Sequence, residues 1–189
     1  MINKKFIKKL KEAYDSHEIE RRRIISGSNE ILNGAKRAIF SIHRQDLDRA
    51  KELIVEAEKK LQEMDKQFGF DRLLEEGSYK ASTEEYAEAK LFFMFVKGEK
   101  LGKIKEVPVD THAYLGGLCD LTGEIVRKAT TYVIDKQFDK VPACRQYIEE
   151  VMSFLIGQNL TSYLRTKFDQ AKNSQRKIED IMYNLALKG

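Results

Sequence analysis

The sequence predicts an all-α protein: an up-and-down bundle of about six helices with long first and last members. Three observations predict it. Only two prolines and eleven glycines punctuate the 189 residues. Apolar residues return at three- and four-residue steps along most of the chain. Charged residues make up 34% of it and occupy the faces between the apolar stripes. No stretch alternates with the period of two that marks a strand. The length suits one domain over residues 1–189, enough to bury a core.

The first helix is expected over residues 4 to about 44, with Ile24, Ser28, Ile31, Ala35, Ala38 and Ile42 as its buried stripe. Asp46 caps a second, which turns Leu47, Ala50, Leu53, Ile54, Ala57 and Leu61 inward and fades near Phe68-Gly69-Phe70. A short segment around Asp71 to Glu76 leads to a break at Gly77-Ser78. Ser82-Thr83-Glu84-Glu85 has the pattern of a capping box and starts the third long helix. Its run Leu91-Phe92-Phe93-Met94-Phe95-Val96 is apolar nearly all round and must be buried.

Pro108 stops any helix, and Asp110 caps the next, from Thr111 to about Val133. Gly116-Gly117 in it admits a neighbouring backbone at close range. After a loop over 135–142, a fifth helix covers about 143–156. Gly157-Gln158-Asn159 breaks the chain, with Asn159 as the expected cap of the last helix. That helix runs to Leu187 on a stripe of Leu160, Leu164, Ala171, Ile178, Met182 and Leu185, with Phe168 and Ile181 beside it.

A net charge of +4 permits a polyanionic partner without demanding one, because 34 basic and 30 acidic residues are interspersed. Cys119 and Cys144 have no CxxC partner, so a reduced, cytoplasmic protein is expected. The first residues lack the apolar core of a signal peptide. No stretch approaches the ~20 apolar residues of a membrane span.

Two helices carry carboxylates in pairs. Glu85 and Glu88 are i,i+3, and Asp120 and Glu124 are i,i+4, so each pair shares a helix face. Glu85, Glu88 and Asp120 have no basic partner one turn away, whereas Glu124 has Arg127 and Lys128. Clustered carboxylates in a partly dry setting raise one another's pKa, and a divalent cation relieves that cost. Oxygen ligands suit Mg²⁺ or Mn²⁺, not zinc. Structural readings stand beside this one. Glu85 completes the Ser82 capping box, Glu88 pairs with a lysine of another helix, and Glu124 makes a surface ion pair. Asp120, behind two glycines and among Leu118, Cys119 and Leu121, is harder to explain that way.

A di-iron bundle needs Glu-x-x-His motifs, and none of His17, His43 and His112 follows a glutamate at that spacing. His112 reads as a first-turn surface residue. Arg21-Arg22-Arg23 and the rows Lys36/His43 and Arg37/Arg44 place cations on the first helix, away from its apolar stripe. They either track phosphates or form a solvated face. Tyr86 and Tyr114 are candidates to stack on unpaired bases, or core aromatics.

These residues resemble a known family. Glu85-Tyr86-Ala87-Glu88-Ala89 is similar to the E-Y-x-E-A motif of translin-associated factor X. Tyr114-Leu115-Gly116-Gly117-Leu118-Cys119-Asp120-Leu121-Thr122-Gly123-Glu124 is similar to its Y-L-x-G-x-x-D-L-T-G-E-L stretch, and residues 35–44 to its K-R-x-I-F-x-x-H-R. Residues 177–189 resemble instead the tail of translin. The resemblance to the translin family implies an all-helical, translin-like fold in a hollow homo-oligomer of about eight subunits. It implies binding of single-stranded RNA and DNA and a magnesium-dependent endoribonuclease. The family's catalytic acids fall on Glu85, Glu88 and Asp120 as metal ligands, and Glu124 matches the last acid of the second motif. Arg21, Arg22, Lys36, Arg37, His43 and Arg44 are the expected nucleic-acid contacts. Translin itself lacks the E-Y-x-E pair and the aspartate, so the resemblance puts this chain on the catalytic side, and its translin-like tail implies a prokaryotic, archaeal-type form in which one chain does both jobs. A non-catalytic binding protein and a helical scaffold are the rival readings.

Overall fold

Seven α-helices form among the residues that this computed structural model describes, 2–187: α1 Lys4–His43, α2 Leu47–Phe68, α3 Phe70–Leu74, α4 Gly77–Val96, α5 Thr111–Ile134, α6 Val141–Ile156 and α7 Ser162–Ala186. Met1 and the Lys188-Gly189 end of the tail motif lie outside them. A 3-10 turn, Phe138–Lys140, precedes α6. No strand occurs among the described residues, and no helix is long and apolar enough to cross a membrane.

The predicted stripes face the core, with Leu160, Met182 and Leu185 of the last stripe and Phe93, Met94 and Val96 of the apolar run only half-buried at its edge. Ile24, Ser28, Ile31, Ala35, Ala38 and Ile42 of α1 are buried. The fully buried isoleucines contribute ~1.5–3 kcal/mol each. The Asp46 carboxylate accepts from Arg49 N at 3.1 Å, and Asp110 from His112 N at 2.8 Å, as N-caps. His112 is exposed in the first turn.

Two starts differ from expectation. Helix α4 begins at Gly77, so Ser82 is interior and caps nothing. Its hydroxyl donates to Tyr79 O at 2.8 Å, and that of Thr83 to the same carbonyl at 2.9 Å. A Ser-Thr pair can satisfy itself within a helix by bonding back to the preceding turn, and burial selects that option here. Thr161, not Asn159, precedes α7, and the chain enters it through Ser162 at φ 49°. Helix α6 starts at Val141, with Pro142 in the first turn, where its missing N–H costs nothing.

One connection sets the topology. Arg21 meets Glu76 and His43 meets Phe92, so α1 and α4 run parallel. Gly117 abuts Glu84 and Glu88, while Glu124 reaches His43 beside Phe92, so α4 and α5 run parallel too. Asp120 meets Lys167 and Gly123 lies by Ser174, which aligns α5 with α7. The layer α1–α4–α5–α7 is therefore parallel, and α2 and α6 are the returns. The segment 97–110 makes the crossover back along α4. Its Glu106 takes Lys90 at 2.9 Å and, through its carbonyl, Gln62 at 2.9 Å. Ile104 and Val107 are buried beneath it.

Candidate functional site: an acidic seam between two parallel helices

Close approach of α4 and α5 creates the site. A Cβ on Gly117 would stand 2.8 Å from Glu88 N and 2.9 Å from Glu84 O, below any real contact. Gly117 lets the two backbones touch, and Gly116 makes room for the Glu84 side chain. In parallel helices at that distance, acids one turn further along each helix must face one another. Glu85 and Glu88 of α4 thus share a seam with Asp120 and Glu124 of α5, and both glutamates of α4 feel the charges of the two acids opposite.

Glu88 lies deepest, 8% exposed. It makes no hydrogen bond or ion pair among the described residues. Burial first, then the charges of Asp120, Glu85 and Glu124, push its carboxyl up to about 9. Glu85 is raised by burial, with Lys36 of α1 opposing the rise. Asp120 is raised by burial against the pull of Lys167. The neighbouring Cys119 thiol is buried and pushed up to about 12, so it is an inert core group.

Cations close the seam at both ends. Lys167 of α7 binds Asp120 and also lies 2.8 Å from Glu84 Oε1, which accepts the Tyr163 hydroxyl at 2.6 Å. His43 Nε2 donates to Glu124, with its ring tilted against Phe92 at 4.9 Å. Arg127 lies 3.7 Å from the same carboxylate. No three acidic, imidazole or thiol groups among the described residues stand in a ready-made metal-ligand geometry.

The predicted basic surface separates into parts. His43 does not join an exposed row: its side chain is 7% exposed and turned into the seam. Lys36, one heptad earlier, is exposed and faces Glu85. Arg37 lies about 100° further round the helix and lines the groove between α1 and α2 with Glu30 and Lys60. Arg44 is exposed over the Phe40 ring at 5.6 Å. Arg21 is tied to Glu76 at 3.4 Å, and Arg22 is free on the surface. Tyr86 is a core aromatic whose hydroxyl donates to Glu58 at 2.9 Å, so it stacks on no base. Tyr114 is half-buried and donates to Gly102 O at 2.8 Å.

Glu84, Tyr163 and Lys167 were not singled out in the sequence. Glu84 carried a signal, being i,i+4 to Glu88. Lys167 carried none, since 47 residues separate it from Asp120.

An all-helical bundle with carboxylates facing across two parallel helices, countered by cations from their outer neighbours, defines the class. The translin-family profile matches residues 19–189, and the chain belongs to the translin family. No curated protein sequence matches it. Solved structures share the fold. Apo-NeC3PO is 24% identical, covering 95% of this chain and 96% of that one, with a TM-score of 0.83. AfC3PO in a duplex RNA complex is 20% identical over 95% and 97%, with a TM-score of 0.82. AfC3PO alone is 21% identical over 97% and 99%, with a TM-score of 0.78.

Proposed function

We propose that this chain binds RNA and is a Mg²⁺- or Mn²⁺-dependent endoribonuclease acting on single-stranded RNA in the cytoplasm, as a homo-oligomer of about eight subunits. One observation carries the reading: Glu88 is buried, unpartnered and flanked by three further carboxylates. A structural carboxylate at that depth is normally paired.

The donors fit a hard cation. Only carboxylates converge on the seam, without a thiolate, and the one imidazole is engaged by Glu124. Glu85, Glu88 and Asp120 would hold the ion. Bound there, a divalent cation supplies an activated water and offsets the charge gathering on the transferring phosphate. Glu88 must give up its proton to take part. Lys36 places a positive charge at the rim for a phosphate. Arg22, Arg37 and Arg44 extend contact along α1, and Arg21 joins them once free of Glu76.

Family membership and the duplex RNA complex of AfC3PO support RNA as the partner class. Preference for single strands, and binding of single-stranded DNA, are finer steps that side-by-side single-stranded and duplex substrates decide. The test is incubation of labelled RNA with and without Mg²⁺ or Mn²⁺. Glu85→Ala, Glu88→Ala and Asp120→Ala each abolish cleavage and leave binding. Unchanged cleavage in all three removes the assignment. The second reading, a non-catalytic RNA- and DNA-binding protein, draws on Lys167, which already neutralises part of the seam, and on His43, which already engages Glu124. It predicts binding that survives EDTA and no cleavage on adding Mn²⁺.

A further inference from the structure

Lys167 enters the acidic seam from α7 with its side chain 16% exposed. Its ammonium touches Asp120 and Glu84, and the Tyr163 ring covers it, 5.3 Å from Nζ to the centroid. Glu84 is a fixed anchor for it. The Glu84 carboxylate packs on Gly116, and its Oε1 accepts from both Tyr163 and Lys167. Asp120 is held differently. Among the described residues its side chain bonds to Lys167 alone, and its charge bears on unpartnered Glu88.

We infer that Lys167 is an internal counter-ion that competes with the divalent cation for Asp120, so that metal loading requires its ammonium to leave Asp120 and rest on Glu84. This inference rests on the metal-site reading above. The physical reason is like-charge repulsion. An ammonium and a dication sharing one carboxylate stand a few ångströms apart where water screens them poorly. Without the dication, the ammonium compensates Asp120 and keeps the crowded acids folded together. With it, the same ammonium opposes binding. Lys167 therefore sets a threshold: the seam stays closed at low metal and opens only when the cation outcompetes it. Glu84 and Tyr163 keep the displaced ammonium at the rim of the seam.

The test is Mn²⁺ binding to the full chain, followed by the EPR signal of free Mn²⁺ and by calorimetry, with no RNA present. Lys167→Met removes the competing charge and is expected to tighten Mn²⁺ binding at least tenfold. Lys167→Gln, which keeps a donor for Glu84 without the charge, is expected to do the same and serves where the methionine variant does not fold. Lys167→Arg keeps the charge and stays near wild type. Without metal, both neutral variants melt below wild type, and saturating Mn²⁺ restores them. Unchanged or weaker Mn²⁺ binding in both neutral variants overturns the inference. If wild type then binds Mn²⁺ and Asp120→Asn does not, the metal site itself stands. No Mn²⁺ binding by any of these proteins overturns both.

Discussion

Glu58 on α2 and Glu88 on α4 are buried to the same extent, 8% exposed each, yet their surroundings are opposite. Glu58 accepts the Tyr86 hydroxyl at 2.9 Å and the Lys90 ammonium at 2.8 Å. Lys90 goes on to Glu106 at 2.9 Å and so fastens the crossover segment to the bundle. Glu88 has acids where Glu58 has donors. Both side chains pack against α4 residues, and in sequence each is one acid among other charged residues. Burial alone does not mark a functional carboxylate. What separates the two is whether the fold supplies a partner.

The contrast can be broken in several ways. Largest is the effect of metal. On the proposed reading, removing it with EDTA should cost several kcal/mol of charge stabilisation, on the order of 10³ in cleavage rate, with far-UV circular dichroism unchanged. Next is Glu58→Ala, which leaves the buried Tyr86 hydroxyl without its acceptor and the Lys90 ammonium with Glu106 alone. It should destabilise the fold by about 3 kcal/mol, read from urea unfolding, without affecting metal binding. Third is Gly117→Ala. The added methyl meets backbone of α4 and must push the helices apart, at a cost of about 2 kcal/mol that outweighs the helix propensity gained. The same variant should weaken Mn²⁺ binding, because the acids on the two helices separate.

Smallest over any single pH unit is a stability slope. Folded Glu88 keeps its proton up to about pH 9, against 4.5 ordinarily. Between those values the folded chain binds more protons than the unfolded one, so this group makes stability fall as pH rises. The slope is at most about 1.4 kcal/mol per pH unit and vanishes below the ordinary carboxylate range. Glu88→Gln should flatten it in metal-free chemical denaturation.

The sequence made the local parts of this account legible. The Asp46 and Asp110 caps, the α1 stripe and the close approach at Gly116-Gly117 each depend on residues within a turn or two. The start of α4 was not legible, because Ser82 and Thr83 serve equally as caps or as interior residues that bond backwards, and packing decides. His43 was grouped with Lys36 correctly as to helix face. What α4 and α5 place against that face is not local information, and it turned a presumed phosphate contact into a partner of Glu124. The parallel run of α1, α4, α5 and α7 has the same origin. It depends on the 97–110 crossover, whose extended path carries no periodic signal. Only the tertiary fold brings Lys167 to Asp120.

The most direct test of a functional difference between the two buried glutamates is a single cleavage experiment. Wild type, Glu88→Gln and Glu58→Gln are compared on one labelled single-stranded RNA in saturating Mn²⁺, each rate corrected for the folded fraction. The account predicts that Glu88→Gln binds the RNA and does not cut it, while Glu58→Gln cuts at close to the wild-type rate. Cleavage by Glu88→Gln at the wild-type rate, or equal loss in both variants, would contradict it.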